Sequence, residues 1–239
     1  MIGTFSKTID SNIVEALGYA GFDFIIFDQE HGSVNLTTIM NHVRSAKLSG
    51  MKSIVRVPTN ASHLIGAALD TGADGVQIPN ISNYKEAKKA IESARFHPDG
   101  NRGVCRFVKS ANFGTKDKSE YFTSENKKLL ILQIEGEKGI DNIDRILELE
   151  YFDILFIGPY DLSQSVGVPG EINSEKVTKL IHEIQIKAKS SDKKLGVFVD
   201  DKKSLKKYKS KGFDYIAYSV DINILIENTN DIIQVGNGE

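Results

Sequence analysis

The sequence contains a single cysteine, Cys105, so the chain cannot form a disulfide within itself. Independence from disulfides fits a reducing compartment, and we expect the cytoplasm. The sequence starts MIGTFSKTIDSN, without a basic segment followed by an apolar one. Further along, no apolar run approaches the roughly 18 residues that a membrane span needs. We therefore expect neither a secretory leader nor a membrane anchor.

Strong charge of one sign is also missing. The formal net charge is −2, the pI is about 6.2, and no block of five or six like charges occurs. Proteins that bind nucleic acid or anionic membranes usually carry such a charge excess, so we expect neither partner. A small molecule is the expected ligand.

The length and composition fit one globular domain. Hydrophobic residues make up 40% and charged residues 26% of the 239 residues, enough for a substantial core. A (β/α)8 barrel typically needs about 250 residues. We therefore expect a single domain over residues 1–239.

Short apolar runs alternate with longer segments of helical period, which is typical of βα units around a parallel sheet. The predicted strands are Ile2–Phe5, Phe24–Asp28, Ser53–Val57, Gly75–Pro79, Leu129–Glu135, Ile154–Ile157, Leu195–Val199 and Tyr215–Ser219. The predicted helices are Asn12–Tyr19, Leu36–Leu48, His63–Leu69, Asn83–Arg95, Ile140–Leu149, Ser174–Lys189, Lys202–Lys211 and Ile222–Ile233. An open doubly wound sheet would normally show a glycine-rich turn after an early strand, and none is present. The pattern predicts an α/β protein with a (β/α)8 TIM barrel fold.

One long segment, Gly100–Lys128, lacks clear strand character. A connection of this length in a compact domain is usually a lid or a binding loop. We expect it to lie near the active face.

The active site of a TIM barrel lies at the C-terminal ends of its strands, and carboxylates occur at two of these ends. Gln133 and Glu135 are two residues apart on a strand and share one face, and Asp161 follows the next strand. Glu135 and Asp161 form a pair that could hold a hard divalent cation. The alternative for either carboxylate is an internal salt bridge to Arg56.

His31 is the only one of five histidines at a predicted strand end, which makes it the favoured base. Asp28 precedes it and could orient the imidazole, although a simple loop hydrogen bond is the alternative. Arg56 ends a buried-looking strand and needs an anion, either a substrate oxygen or a structural partner in Asp28 or Glu30.

Other nucleophiles are less well placed. Cys105 has no base beside it in sequence. A Schiff-base aldolase needs a lysine inside the barrel mouth, but none of the eight predicted strands ends in lysine, and the nearest, Lys138, lies in a polar turn beyond Glu135. This favours enolate chemistry that depends on a metal.

Six blocks of the sequence carry a family resemblance that spans nearly the whole chain: GFDFIIFDQEHG, IVRVP, GADGVQIPNI, HPDGNRGV, LQIEGEKGIDNIDRIL and FIGPYDLSQSVGVPG. In this order they resemble the 4-hydroxy-2-oxoheptanedioate aldolase family, which includes 2-dehydro-3-deoxyglucarate aldolase. The resemblance implies a barrel of the phosphoenolpyruvate/pyruvate-binding type and a metal-dependent class II pyruvate aldolase. Such an enzyme cleaves a 4-hydroxy-2-keto acid reversibly to pyruvate and an aldehyde through a pyruvate enolate.

The resemblance also implies roles for particular residues. His31 would be the base supported by Asp28, Arg56 would bind pyruvate and its enolate, and Glu135 and Asp161 would bind Mg²⁺ or Mn²⁺, with Co²⁺ as a further candidate. Gln133 and the backbone N–H groups of Tyr160 and Asp161 would contact the keto acid. Family members are typically homohexamers with an exchanged C-terminal helix, which here would be Ile222–Ile233.

Two departures leave the aldehyde half of the substrate open. Tyr160 stands where the family usually has alanine or serine, and the segment Cys105–Lys118 is less rich in alanine than is usual. Oxaloacetate decarboxylation and a citrate-lyase-like cleavage of an acyl-CoA remain alternatives for the same site, and a non-catalytic binding barrel is a third. A basic surface for coenzyme A would come from the long segment Gly100–Lys128, which contains Arg102, Arg106, Lys109, Lys116 and Lys118.

Overall fold

The eight apolar runs form eight parallel strands that close into one barrel, in the order of the sequence. The computed structural model describes residues 1–238. The strands are β1 Ile2–Ser6, β2 Phe24–Asp28, β3 Lys52–Arg56, β4 Gly75–Ile78, β5 Leu129–Ile134, β6 Ile154–Ile157, β7 Lys194–Val199 and β8 Tyr215–Val220. Each predicted strand is present; two have the predicted ends, and the other six differ by one residue at one or both ends. The (β/α)8 prediction is confirmed.

Helices surround the barrel, and several begin at a side chain that caps their free N–H groups. They are α1 Ser11–Tyr19, α2 Leu36–Leu48, α3 Ser62–Asp70, α4 Tyr84–Ala94, α5 Lys118–Glu125, α6 Glu137–Asp141, α7 Ile143–Leu147, α8 Pro159–Ser165, α9 Glu175–Ala188, α10 Lys202–Ser210 and α11 Asp221–Asn237. The predicted helix Ile140–Leu149 is divided, because Asn142 leaves helical geometry between α6 and α7. Among residues 1–238, no helix has the length and apolar character that crossing a membrane would require.

The strands bury side chains on both faces, which explains why their sequences are continuously apolar. In β2, Ile25 and Phe27 pack outward against the helices, whereas Phe24 and Ile26 point into the barrel. The ring of Phe24 stacks on Tyr215 with centroids 3.7 Å apart. This aromatic layer fills the lower barrel, so polar side chains gather above it, where the strands end.

The segment between α4 and β5 lies at the opposite end of the barrel from these strand ends, and our expectation that it is near the active face was wrong. Arg102 donates to Asp70 at the end of α3 (2.6 Å), and Lys128 donates to the carbonyl of Ala73, just before β4 (2.5 Å). The physical reason is topological. A connection from a helix to the following strand joins two ends that both lie at the N-terminal face of the strands.

The basic residues of this segment therefore do not form a rim around the barrel mouth. The Arg102 side chain is buried between Asp70 and Glu125, and Arg106 donates to the carbonyl groups of Gly114 and Lys116. These contacts stabilise the segment itself. The basic surface that we expected for coenzyme A is not provided by these residues.

The buried ion pairs of Arg102 give a test of this packing. Replacing Arg102 with methionine leaves Glu125, which is 1% exposed, without its closest cation. We expect the free energy of unfolding to fall by about 3 kcal/mol, as when one partner of a buried pair is removed. Urea denaturation measures the change. Lys118→Met, in the exposed first turn of α5, is the control and should change stability by less than about 0.5 kcal/mol. Equal losses of stability in the two variants would contradict the burial of Arg102 between Asp70 and Glu125.

Candidate active site

The carboxylate of Asp28 is fully buried at the end of β2 and joins several parts of the site. It accepts two hydrogen bonds from the Arg56 guanidinium, at 2.9 and 2.8 Å, and an ion pair from Lys7. Burial raises the pKa of Asp28, but the bonds from Arg56 and Lys7 outweigh this and lower the pKa to about 2. Asp28 is therefore a permanent anion.

Asp28 also shapes the loop that carries His31. Its Oδ1 accepts from the backbone N–H groups of Glu30 (3.0 Å) and His31 (3.3 Å). A side chain at Gly32 would overlap the carbonyl oxygen of Asp28, so only glycine fits there. We expected Asp28 to orient the imidazole. In the structure it bonds to the backbone of the loop instead, which matches the alternative of a loop hydrogen bond.

The imidazole of His31 lies at the edge of the site. Its side chain is 64% exposed, and its nearest charged partner is Glu30, with Nε2 3.9 Å from Oε2. An exposed ring is accessible to substrate and to water. Its role as a base stays a prediction.

Arg56 ends β3 and is 8% exposed. Besides Asp28 it contacts Glu30, with Nη1 3.0 Å from Oε2, and its guanidinium lies 4.7 Å above the ring of Phe5. The structural ion pairs that we left open are thus present. Arg56 also lines the cavity of the site, so these ion pairs keep its guanidinium at the cavity wall.

A chain of amides leads to Glu135. Gln77 donates to Gln133, and Gln133 donates to Glu135, which also accepts from the backbone N–H of Asn80 (2.7 Å). Burial raises the pKa of Glu135 to about 7; the bond from Gln133 opposes the increase, and the charge of Asp161 adds to it. Glu135 is a carboxylate with too little compensating positive charge.

Tyr160 and Asp161 follow β6 in the first turn of α8. A side chain at Gly158 would come 2.9 Å from Oε2 of Glu135, so glycine allows this turn to approach the carboxylate closely. The hydroxyl of Tyr160 donates to Asp200, and this bond, together with burial, raises the pKa of Tyr160 to about 12. Tyr160 lines the site, with its ring centroid 6.0 Å from that of Phe198.

Sequence reasoning missed Lys7 and Gln77. We predicted that β1 ends at Phe5 and that no strand ends in lysine; β1 instead continues to Ser6, and Lys7 follows at the barrel mouth. The backbone N–H of Lys7 donates to the carboxylate of Asp221 (3.0 Å). A polar residue immediately after an apolar run was the available signal. Gln77 was not predicted as a site residue because its strand contains no charged residue that would indicate a site.

These residues surround a cavity of about 180 Å³. It is lined by Phe5, Lys7, Asp28, His31, Arg56, Gln133, Phe156, Gly158, Pro159, Tyr160, Asp161, Phe198 and Val220. A second cavity of about 400 Å³ lies beyond Glu135 and Asp161. The structure thus brings all seven predicted site residues into one region: six line the first cavity, Asp161 lines both, and Glu135 lines the second and accepts a bond from Gln133.

The charges of the site fit a divalent cation. Asp28, Glu30, Glu135 and Asp161 are four carboxyl groups, whereas Lys7 and Arg56 are only two cationic side chains. Within residues 1–238, no group of three or more His, Cys, Asp and Glu could hold a metal. A cation here would have two carboxylate ligands and would take its others from water and substrate, as Mg²⁺ commonly does.

Comparison with known proteins agrees with the resemblance that the six sequence blocks indicated. Residues 1–228 match the model of the family described as HpcH/HpaI aldolase/citrate lyase. A curated relative from Enterobacter sp. (strain 638), named 5-keto-4-deoxy-D-glucarate aldolase, is 34% identical over 232 residues, which cover 97% of this chain and 90% of the relative.

Two solved structures are similar over nearly their full length. A HpcH/HpaI aldolase/citrate lyase family protein from Burkholderia cenocepacia J2315 has a TM-score of 0.94 and 28% identity, covering 99% of this chain and 94% of that one. A HpcH/HpaI aldolase from Desulfitobacterium hafniense DCB-2 has a TM-score of 0.91 and 26% identity, covering 98% and 91%. The chain therefore belongs to the HpcH/HpaI aldolase/citrate lyase family and is a carbon–carbon lyase of the class II pyruvate aldolase type.

Proposed function

We propose that this aldolase cleaves a 4-hydroxy-2-keto acid to pyruvate and an aldehyde, with a divalent cation held by Glu135 and Asp161. The observation that carries the proposal is the excess of carboxyl groups over cationic side chains, four against two, beside a small cavity that Arg56 and Gln133 line. Mg²⁺ and Mn²⁺ are the first candidates and Co²⁺ the next, because carboxylate and water oxygens suit hard cations.

The pyruvate half of the substrate fits the side of the cavity formed by β3, β5 and β6. Arg56 presents a planar guanidinium held in place by Asp28, which suits recognition of a carboxylate or an enolate oxygen. Gln133 lines the same wall. The backbone N–H groups of Tyr160 and Asp161 lie in the first turn of a helix, where such groups have no partner within the helix. We assign them to the substrate carboxylate.

The chemical roles of the side chains follow from this placement. A divalent cation held by Glu135 and Asp161 would polarise the keto group of the substrate, which would weaken the bond between C3 and C4. His31 removes the proton of the C4 hydroxyl group, directly or through a water molecule. Arg56 stabilises the negative charge that develops on the keto oxygen as the aldehyde leaves. Protonation at C3 then gives pyruvate.

The substrate panel that tests this function contains 4-hydroxy-2-keto acids that differ in the aldehyde half. It includes 5-keto-4-deoxy-D-glucarate, the substrate in the relative's name, and oxaloacetate, which would give the same enolate. Acyl-CoA substrates are less well supported, since the basic residues expected to bind them lie at the other end of the barrel. We expect the protein to release pyruvate when metal is present and to stop releasing it when EDTA is added.

We also propose a homohexamer assembled through α11. Only Asp221 of this helix is buried, and six large apolar side chains are exposed: Ile222, Leu225, Ile226, Ile232, Ile233 and Val235. An apolar groove between α1 and α11 lies beside them. Such a surface on one chain is typical of an interface between copies.

The metal assignment predicts a loss of affinity in two variants. Glu135→Gln and Asp161→Asn each remove an anionic oxygen, so we expect Mn²⁺ affinity, measured by calorimetry, to fall at least about tenfold. Glu137→Gln, in the exposed first turn of α6, is the control and should bind normally. Unchanged titrations in both variants would show that the assignment is wrong.

The same titration has a predicted pH dependence. Glu135 has a pKa of about 7 in the metal-free protein, so its acid form predominates below pH 7 and must lose a proton when metal binds. Affinity should fall by about tenfold per pH unit below 7 and level off above it. Glu135→Gln should remove this slope.

The base assignment predicts that His31→Ala separates two steps. We expect aldol cleavage to fall by about 10²- to 10⁴-fold, because a positioned base is lost. Exchange of the pyruvate methyl protons with D₂O, followed by NMR, needs enolisation without cleavage and should be much less affected. His97→Ala, in the segment at the other end of the barrel, is the control. Normal cleavage in His31→Ala would exclude this role.

The assembly proposal predicts that Leu225→Asp dissociates the oligomer. Leu225 is 63% exposed in one chain, so aspartate there should not unfold the barrel, but it would place a charge in the proposed interface. Analytical ultracentrifugation measures the change from a hexamer to smaller species. Ile186→Asp, at a similarly exposed position on α9, is the control. A monomeric wild-type protein would contradict the proposal.

A further inference from the structure

Lys7 faces the proposed metal carboxylates across the barrel mouth. It follows β1, whereas Glu135 follows β5, and these strands lie four positions apart in a closed barrel of eight. The pyruvate half of the substrate is assigned to the β3, β5 and β6 side. A substrate longer than pyruvate can therefore extend across the mouth toward β1.

The wall on the Lys7 side is otherwise apolar. Phe5, Phe198 and Val220 line it, and the cavity's other cation, Arg56, is assigned to the pyruvate half of the substrate. Lys7 is thus the one ammonium group on this side among the lining residues. Its side chain is 22% exposed, so a ligand in the cavity can reach it.

Asp28 does not require Lys7 as a partner. Its carboxylate already accepts two bonds from Arg56 and two from the backbone N–H groups of the His31 loop. An ammonium group has three donors, and Asp28 is the only acceptor that the Lys7 ammonium has among residues 1–238. Donors therefore remain for a substrate group.

The backbone fixes Lys7 at this place. The carboxylate of Asp221, which is 5% exposed, accepts from the N–H groups of Lys7 (3.0 Å) and Thr8 (3.1 Å) and from the hydroxyl of Ser6 (2.7 Å). Because its backbone is already fixed, Lys7 loses only side-chain freedom when it binds an anion.

We propose that Lys7 is a specificity-determining residue that binds an anionic group, a carboxylate or a phosphate, at the far end of the aldehyde half. The proposal rests on the proposed function, because it places pyruvate on the opposite side of the cavity. Two other roles make different predictions: a clamp that only holds Asp28, and an amine that forms an imine with pyruvate.

The first experiment compares aldehydes in the condensation direction, with pyruvate and Mn²⁺. The pairs are 4-oxobutanoate against pentanal and glycolaldehyde phosphate against glycolaldehyde, so each anion has an uncharged counterpart. We expect the wild-type protein to favour at least one anion in kcat/KM and Lys7→Met to lose about 10- to 100-fold of that preference, the value of a hydrogen bond to a charged group. The pair in which Lys7→Met loses more of the preference shows whether Lys7 binds a carboxylate or a phosphate.

Two variants serve as controls. Lys7→Arg keeps the charge and should keep most of the preference. Lys88→Met removes an exposed lysine on α4 and should leave activity and preference unchanged. Equal losses for charged and uncharged aldehydes in Lys7→Met would indicate the clamp and overturn the proposal. A borohydride-stabilised pyruvate adduct on Lys7, detected by mass spectrometry, would also overturn it.

A second experiment does not depend on turnover. Calorimetry with Mn²⁺ compares 2-oxoadipate with 2-oxohexanoate, which differ in a terminal carboxylate. Tighter binding of 2-oxoadipate in the wild-type protein, lost in Lys7→Met and kept in Lys7→Arg, supports the carboxylate site. If the wild-type protein binds both ligands equally and shows no aldehyde preference, the proposal fails. If it binds them differently but neither enolises pyruvate nor cleaves keto acids, the proposed function fails while the Lys7 site stands.

Discussion

The arrangement of the site depends on one buried carboxylate. Asp28 is fully buried yet remains charged, because Arg56, Lys7 and two backbone N–H groups surround it. An unpaired anion at this position would be very costly, so burial alone would raise the pKa of the carboxyl group. Through these bonds Asp28 fixes the direction of the guanidinium and the path of the loop that carries His31. A substrate that enters the site therefore meets side chains that are already oriented.

The aromatic interior of the barrel makes this arrangement possible. Phe24, Phe156 and Tyr215 fill the lower barrel and exclude water beneath the site. Electrostatic interactions are stronger in such surroundings than in water, for attraction and repulsion alike. Burial acts on both Asp28 and Glu135. Asp28 has cations beside it, so its pKa is low, whereas Glu135 has none beside it, so its pKa is raised. A divalent cation beside Glu135 would supply the positive charge that this carboxylate lacks.

The sequence was sufficient to predict the number of strands and which residues meet at their ends. Apolar runs locate strands, and barrel topology then places Asp28, Arg56, Glu135 and Asp161 at one mouth. The sequence could not show which atom of His31 Asp28 contacts, because spacing along the chain is the same for a backbone and a ring hydrogen bond. Segment 100–128 was misplaced because its length and composition were considered without its position between a helix and a strand. Lys7 was missed because strand ends are uncertain by a residue.

The first residue of the C-terminal helix holds the end of β1 in place, which connects this helix to the site. Asp221 begins α11, and the same carboxylate holds the backbone of Ser6, Lys7 and Thr8 at the end of β1. Since Asp221 is buried, its position depends on how α11 leaves the barrel. If α11 packs against a neighbouring copy, that contact also fixes the end of β1 and, through Lys7, one partner of Asp28. The geometry of the site would then depend on a helix that contributes no residue to the lining of the 180 Å³ cavity, and assembly would influence the loop that carries His31 through Lys7 and Asp28.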